Sequence, residues 1–405
     1  MKEMRTGYTH NGCFHADEVM ATALLRVLFP KMEVIRVASA SEIPSPLPDG
    51  AIVYDIGGGE FDHHNVEKRC WKDGTPASSA GLIWWKYSEA ILQELVGGGK
   101  NAETARVNIE EAIKAIDAVD NGVYVNGRPL YDWSSFIFSL NPNWDEEATP
   151  DEYFKRAVFF SRWLLENAAF GVSSKDPIHA IAEKADQYRR AQGWERVAMP
   201  VGRKYYPPAC DPAIDDAGLF WEGYGIHVLE SFSAEPEYIS KAMMMVDARL
   251  FRTLDSNYWN ERYLPRKFLR YFLPDDGFML VSEMLKRVVL KVLATLRGSS
   301  IVEAAIESSE DGVAVLERFV PWQGTLAHSK TEMARSVKAV VYPSNRGDGY
   351  NAAVLRERAL FPESWAGQPE AWLMEHIGIN FCHPARFVIS APTKEAAIMA
   401  AKLAE

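Results

Sequence analysis

The sequence predicts an α/β protein: a mostly parallel sheet with helices on both faces, then a helical, aromatic-rich insertion, then a smaller C-terminal α/β domain. Three observations carry this. Short apolar, partly β-branched runs at 34–37 and 51–54 alternate with stretches whose apolar residues recur every three or four positions. Similar strand-like runs return only after about position 313, with an aromatic-rich region between the two groups. At 405 residues the chain exceeds one ordinary core, which sets the expectation of several domains, drawn here at 1–170, 171–298 and 299–405.

Taken in order, the first strand ends near Thr9 and runs into HNGCFHADE. A helix starts at about Asp17, because Val19, Met20, Ala23, Leu24, Val27 and Leu28 form one apolar face and Pro30 closes it. The second strand is 34–37, and the third, 51–54, is ended by Gly57-Gly58-Gly59. A helix beginning at Ser78-Ser79 carries Trp84 and Trp85 as core residues and breaks at Gly97-Gly98-Gly99. Another, from about Glu103, has Ile109, Ala112, Ile113, Ile116 and Val119 on its apolar side and ends at Asn121-Gly122. In the C-terminal part, strands are expected at 313–319, 337–342, 350–356 and 386–389, with an alanine-rich helix from Thr393.

Composition narrows the function. Hydrophobic residues are 47% and charged residues 24%, as in a soluble globular protein. Four cysteines (Cys13, Cys70, Cys210, Cys382) form no CxxC pattern, which suggests a reducing compartment, and the cytoplasm is the expected location. No apolar run is long enough to span a bilayer, and a formal charge of −11 argues against coating by nucleic acid.

The chemistry concentrates where strands end. Asp55 stands at the carboxyl end of its strand, and Asp62-His63-His64 returns just after the glycine turn. His10, His15 and Asp17 fall in the loop after the first strand, which opens at the same sheet edge. A carboxylate among several imidazoles is costly to bury unless it binds something, so these residues read as a metal site. Asp117 and Asp120 lie on one helix face at the negative end of the helix dipole, where a cation would favour them, with Asp120 the preferred ligand. Ser78 and Ser79 open a helix whose N–H groups suit an anion.

HNGCFHADE, VYDIGGG, FDHHN, SSAGLIW and IDAVDNG occur in this order and spacing in the MYG1 family, which belongs to the wider DHH phosphoesterase superfamily, and the chain resembles it. Leu140-Asn141-Pro142-Asn143-Trp144, Pro321-Trp322 and the run LFPESWAG at 360–367 look like later segments of that family. The resemblance implies a DHH-type domain and a two-metal phosphoesterase, a manganese-dependent 3′-to-5′ exoribonuclease, with magnesium or cobalt as alternative ions. It implies that His10 and His15 hold one ion, Asp17 and His63 the other, and that Asp55 bridges them. Asp120 completes the second site, Asp62 orients a histidine or ligates, and His64 contacts the scissile phosphate. The second domain is expected to contact substrate through His383, which the family pattern shares, and through Arg356, Arg358, Arg386 and Lys394.

The expected partners are RNA or a short oligonucleotide and a second copy of the chain, with no membrane. Two departures leave other readings open. No family counterpart is evident from about Phe170 to Lys286, where Tyr205, Tyr206, Phe220, Trp221, Tyr224, Tyr258, Trp259, Tyr263, Phe268, Tyr271 and Phe272 accompany Arg262, Arg266, Lys267 and Arg270. These read first as an accessory subdomain or oligomer contact, and second as an RNA-stacking lid. Ser390-Ala391 replaces a glycine pair of the family, which gives weight to a hydrolase of nanoRNA, dinucleotides or pyrophosphate. A metal-binding scaffold without activity is the third reading.

Overall fold

The computed structural model describes residues 3–64, 68–123, 133–147, 149–171, 177–194, 269–344 and 349–405. The expected aromatic residues from Tyr205 to Phe268, and the basic residues Arg262, Arg266 and Lys267, lie outside these. The chain divides into two compact units, residues 1–142 with 147–292, and residues 143–146 with 293–405.

In the first unit, β1 (Thr6–His10), β2 (Glu33–Val37) and β3 (Ala51–Val53) form a sheet in the order β2-β1-β3. Both pairings are parallel, with His10 beside Val37 and Tyr8 beside Val53. The ends of β1 and β3 therefore open at one edge, which is where His10 and Asp55 stand. Helix α1 (Ala16–Leu28) is so thoroughly buried that Val19, Met20, Ala23, Leu24 and Leu25 have no exposure. It starts one residue earlier than its apolar face suggests, because His15 is already extended and serves as the N-cap.

Helix α2 (Ser79–Val96) ends on Gly97 in the left-handed conformation (φ 72°), and α3 (Lys100–Asp120) follows. Trp84 is core, 1% exposed, whereas Trp85 is half-buried against Trp71. Then come α4 (Trp133–Ser139), α5 (Pro150–Phe170), α6 (Pro177–Ala191) and the long α7 (Pro274–Glu307), whose residues are divided between the two units. Two aromatics from the expected stacking surface are core instead. Phe272 is buried and packs edge-on against Trp163, Tyr271 is buried, and Arg270 pairs with Glu111.

The second unit carries a mixed sheet in the order β4-β5-β6-β8-β7, from β4 (Val313–Val315), β5 (Ala339–Pro343), β6 (Tyr350–Val354), β7 (Phe381–Cys382) and β8 (Val388–Ala391). Only β4 and β5 pair in parallel. The strand expected to reach Phe319 stops at Val315, and α8 (Lys394–Ala401) is capped by Thr393, whose hydroxyl accepts from Ala396 N–H. Among the described residues no helix is long and apolar enough to cross a membrane.

Candidate metal centre

Five segments converge at the open edge of the first sheet. The loop after β1 is shaped by Gly12 (φ 78°) and clamped from two sides. Arg36, on β2, donates to the carbonyls of His10 (3.2 Å) and Gly12 (2.8 Å) and pairs with Asp151. The Asn141 side chain accepts from Phe14 N–H (2.9 Å) and donates to its carbonyl (2.8 Å). His10 Nδ1 donates to the Asn11 carbonyl at 2.9 Å, an assignment that leaves Nε2 to face the interior.

Asp55 sits just past β3 at φ 58°, a left-handed conformation that costs a non-glycine residue of order 1 kcal/mol. It is held there by its N–H on the Phe61 carbonyl and by the Tyr54–Phe61 bridge. Its two oxygens reach opposite ways: Oδ2 lies 3.1 Å from His10 Nε2, and Oδ1 lies 3.1 Å from His63 Nε2. His63 Nε2 is also 3.0 Å from Asp120 and 3.7 Å from Asp17. Among the described residues, three interlocking sets of donors result: His10, His15, Glu18, Asp55; Asp55, His63, His64; and His15, Asp17, Asp120. Within each set the donor atoms lie within 4.8 Å of one another.

The electrostatics are those of a site built around positive charge. Burial drives Asp17 well above the usual carboxylate range, and repulsion from Asp120, Asp55 and Glu18 adds to it. Burial also opposes ionisation of Asp55 and Asp120, yet His10 and His63 outweigh it for the first and His63 for the second, so both are lowered. Burial disfavours charge on the two imidazoles, but their carboxylate neighbours win and raise His10 and His63 to about 10. The donor set fits divalent metal: Asp17 Oδ1, Asp55 Oδ1 and His63 Nδ1 are buried without a hydrogen-bond partner. Neighbouring donors at 3.0–3.2 Å match those sharing one ion at about 2.1–2.2 Å bond lengths.

Glu18 was not among the residues expected from the sequence. It has no exposure, accepts from His15 N–H with both oxygens (2.9 and 3.0 Å) and stands 3.2 Å from His10 Nε2. Its signal was present as the last letter of HNGCFHADE, three residues after the helix N-cap, where a glutamate is normally read as part of a capping box.

Other expected roles are corrected by the contacts. Asp117 joins none of the three donor sets. Its carboxylate accepts from Trp71 Nε1 (2.6 Å), Ser78 Oγ (2.5 Å) and Gly81 N–H (3.2 Å), and burial raises it to about 6. The anion expected at the N-terminus of α2 is therefore Asp117 itself, which replaces the substrate role of Ser78. Ser79 is buried too and donates to Asp17 at 2.7 Å, so it supports a metal-site residue.

Asp62 accepts from Gly58 N–H and His64 N–H and lies 2.7 Å from His64 Nδ1. It thereby holds a ring whose side chain is 62% exposed. A cleft of about 230 Å³ beside them is lined by Asp62, His63, Lys68 and Arg69, two cations not anticipated from the sequence.

In the second unit, Arg358 is committed to the carbonyls of Ala334, Leu326 and Val337, which corrects it as a substrate contact, and Lys394 pairs at the surface with Glu317. Arg356 lies over the Phe387 ring (4.1 Å), and His383 packs on the same ring (4.4 Å). Arg386 takes a positive φ (60°) in the turn that donates to the His383 carbonyl. Ser390 and Ala391 are ladder residues of β8, Ala391 being buried.

A family profile described as "MYG1_exonuc: Uncharacterised protein family (UPF0160)" matches residues 7–196 and 256–404, most of the chain and all of the centre. The chain belongs to the MYG1 exonuclease family. Within the chain, 197–255 is the internal stretch outside the match, so the segment without a family counterpart is shorter than the sequence suggested. The chain is 32% identical over 209 residues to the MYG1 exonuclease of Homo sapiens (44% of this chain, 54% of the relative). It is 30% identical over 207 residues to that of Mus musculus (44% and 53%). A MYG1 protein of Saccharomyces cerevisiae is 33% identical over 174 residues (36% and 50%). The chain thus spans about half the length of the curated relatives it matches. No solved structure matches it.

Proposed function

We propose that this member of the MYG1 family hydrolyses phosphodiester bonds with two divalent ions, manganese by preference, and acts as a DHH-type 3′-to-5′ exoribonuclease on RNA or a short oligonucleotide. The names of the mammalian relatives support the nuclease class. The observation that carries the reading is the Asp55 carboxylate, one oxygen facing His10 and the other His63, as a bridge between two ions requires.

Divalent ions held by such donors would supply a nucleophile from water near neutral pH and would neutralise charge on the phosphate. His10, His15 and Glu18 would hold one, Asp17, His63 and Asp120 the other, and Asp55 both. Mixed imidazole and carboxylate donors suit manganese or cobalt better than magnesium, which prefers oxygen and keeps its water. His64, gripped at Nδ1 by Asp62, offers Nε2 to a phosphate oxygen of the substrate. Lys68 and Arg69, which line the adjoining cleft together with Glu60 and Asp62, are the cations there that could meet a neighbouring phosphate.

The test is hydrolysis of a labelled oligoribonucleotide, a dinucleotide and pyrophosphate by chelated protein, before and after manganese is added. Shortening of the oligonucleotide from its 3′ end that manganese restores, and that Asp55→Asn abolishes, is the expected result. Cleavage confined to the dinucleotide or pyrophosphate would favour the small-substrate reading, to which Ser390-Ala391 in place of two glycines points. A protein inert on all three would leave the scaffold reading.

A further inference from the structure

Phe138 is an aromatic side chain that the fold leaves uncovered at the rim of the metal centre. On α4, Trp133, Phe136 and Ile137 sit at helical spacing and are buried, between 0 and 2% exposed. Phe138 falls off that stripe and is 43% exposed. Its ring lies parallel to the imidazole of His15, at an interplanar angle of 2° with centroids 6.2 Å apart. On the same ring, Lys291 Nζ stands 4.8 Å from the centroid. A part-exposed phenyl ring, a metal-site imidazole and an ammonium group thus share one small region of the first unit. The rest of the centre is dominated by Asp17, Glu18, Asp55 and Asp120, which attract cations but offer nothing to an uncharged heterocycle.

We propose that Phe138 is a stacking platform for a nucleobase adjoining the scissile phosphate, with Lys291 placed to meet the phosphate of the same nucleotide. This rests on reading the centre as a phosphodiester hydrolase. Stacking on one phenyl ring is sequence-tolerant, because every base has a π-face, and it typically strengthens binding by about tenfold or more per base. The platform discriminates a nucleotide from an equally charged phosphate ester without a base, whatever the base is. It therefore accounts for selection of nucleotides by a centre whose donors recognise only metal and phosphate.

The experiment compares binding of AMP and ribose 5-phosphate to the manganese-loaded protein by calorimetry, for wild type, Phe138→Leu and Phe138→Trp, with manganese content measured in each. Wild type is expected to bind AMP about tenfold more tightly than ribose 5-phosphate. Phe138→Leu, which still covers His15 but has no π-face, should bind the two alike, and Phe138→Trp should keep the preference. Equal binding by wild type, or a preference that survives in Phe138→Leu, would overturn the platform. Should Phe138→Leu lose manganese, Phe138→Trp decides: a loaded Trp variant without preference overturns it equally. Hydrolysis of the labelled oligoribonucleotide, a dinucleotide and pyrophosphate is followed alongside; if wild type cleaves none of the three, the hydrolase reading fails while the AMP comparison still decides the platform.

Discussion

The carboxylate of Asp117 fills the space that a side chain at Gly81 would occupy. A Cβ built on Gly81 overlaps Asp117 Oδ2, while the Gly81 N–H donates to Oδ1 of the same group. The glycine of SSAGLIW is thus a packing requirement, and Asp117 is a buried cap that ties α3 to α2.

From this it follows that Gly81→Ala should be more damaging than its chemistry suggests, because it displaces a carboxylate with three donors around it. A loss of about 1–3 kcal/mol is expected, read as a fall in Tm. Asp117→Asn should lose a similar amount, since its amide N–H₂ would meet either the Trp71 N–H or the Gly81 N–H. Both variants should still bind manganese once folded, because Asp117 is outside the donor sets. Loss of metal with unchanged Tm would contradict this.

Glu18→Gln removes the charge but keeps the shape of a buried group between His15 N–H and His10 Nε2. Manganese affinity should fall by about 10–100-fold, as for other groups that ligate or orient ligands. Competition with a metal indicator, run separately from any activity assay, measures it. Unchanged affinity would reduce Glu18 to a helix cap.

The pH response of the metal-free protein has a definite sign. His10 and His63 are raised from 6.5 to about 10, so the stability their protonation contributes is fully present below about 6.5 and is lost as pH rises towards 10. Chelated protein should therefore melt at a lower temperature at about pH 9 than at about pH 7. Manganese, by taking the place of the two protons, should narrow that difference and release protons on binding. Calorimetry in buffers of different ionisation enthalpy counts them; zero release would mean the imidazoles are already neutral.

Arg36 binds two carbonyls of the ligand loop and the Asp151 carboxylate at once. One ammonium group cannot reproduce that fork, so Arg36→Lys should weaken manganese binding almost as much as Arg36→Met, by about tenfold or more. A Lys variant with wild-type affinity would show that charge alone suffices.

Much of the architecture was legible because periodicity and punctuation are local. The apolar stripe of α1, the runs that become β1, β2 and β3, and the glycines that end them are properties of neighbouring residues. The same holds for the crowding of histidines and aspartates at strand ends. What could not be read was how polar groups divide among partners. Asp117 and Asp120 share a helix face, yet Trp71, Ser78 and Gly81 claim the first, while His63 lies against the second. Phe138 and Phe136 look alike in sequence, but only Phe136 is buried. The sequence by itself determined which elements form and which residue types crowd the sheet edge, since those follow from patterns within a few turns of chain. Tertiary structure alone decided which carboxylate meets which imidazole and which aromatic face stays open. Those outcomes depend on contacts between segments tens of residues apart, where angstrom differences in packing set burial and charge.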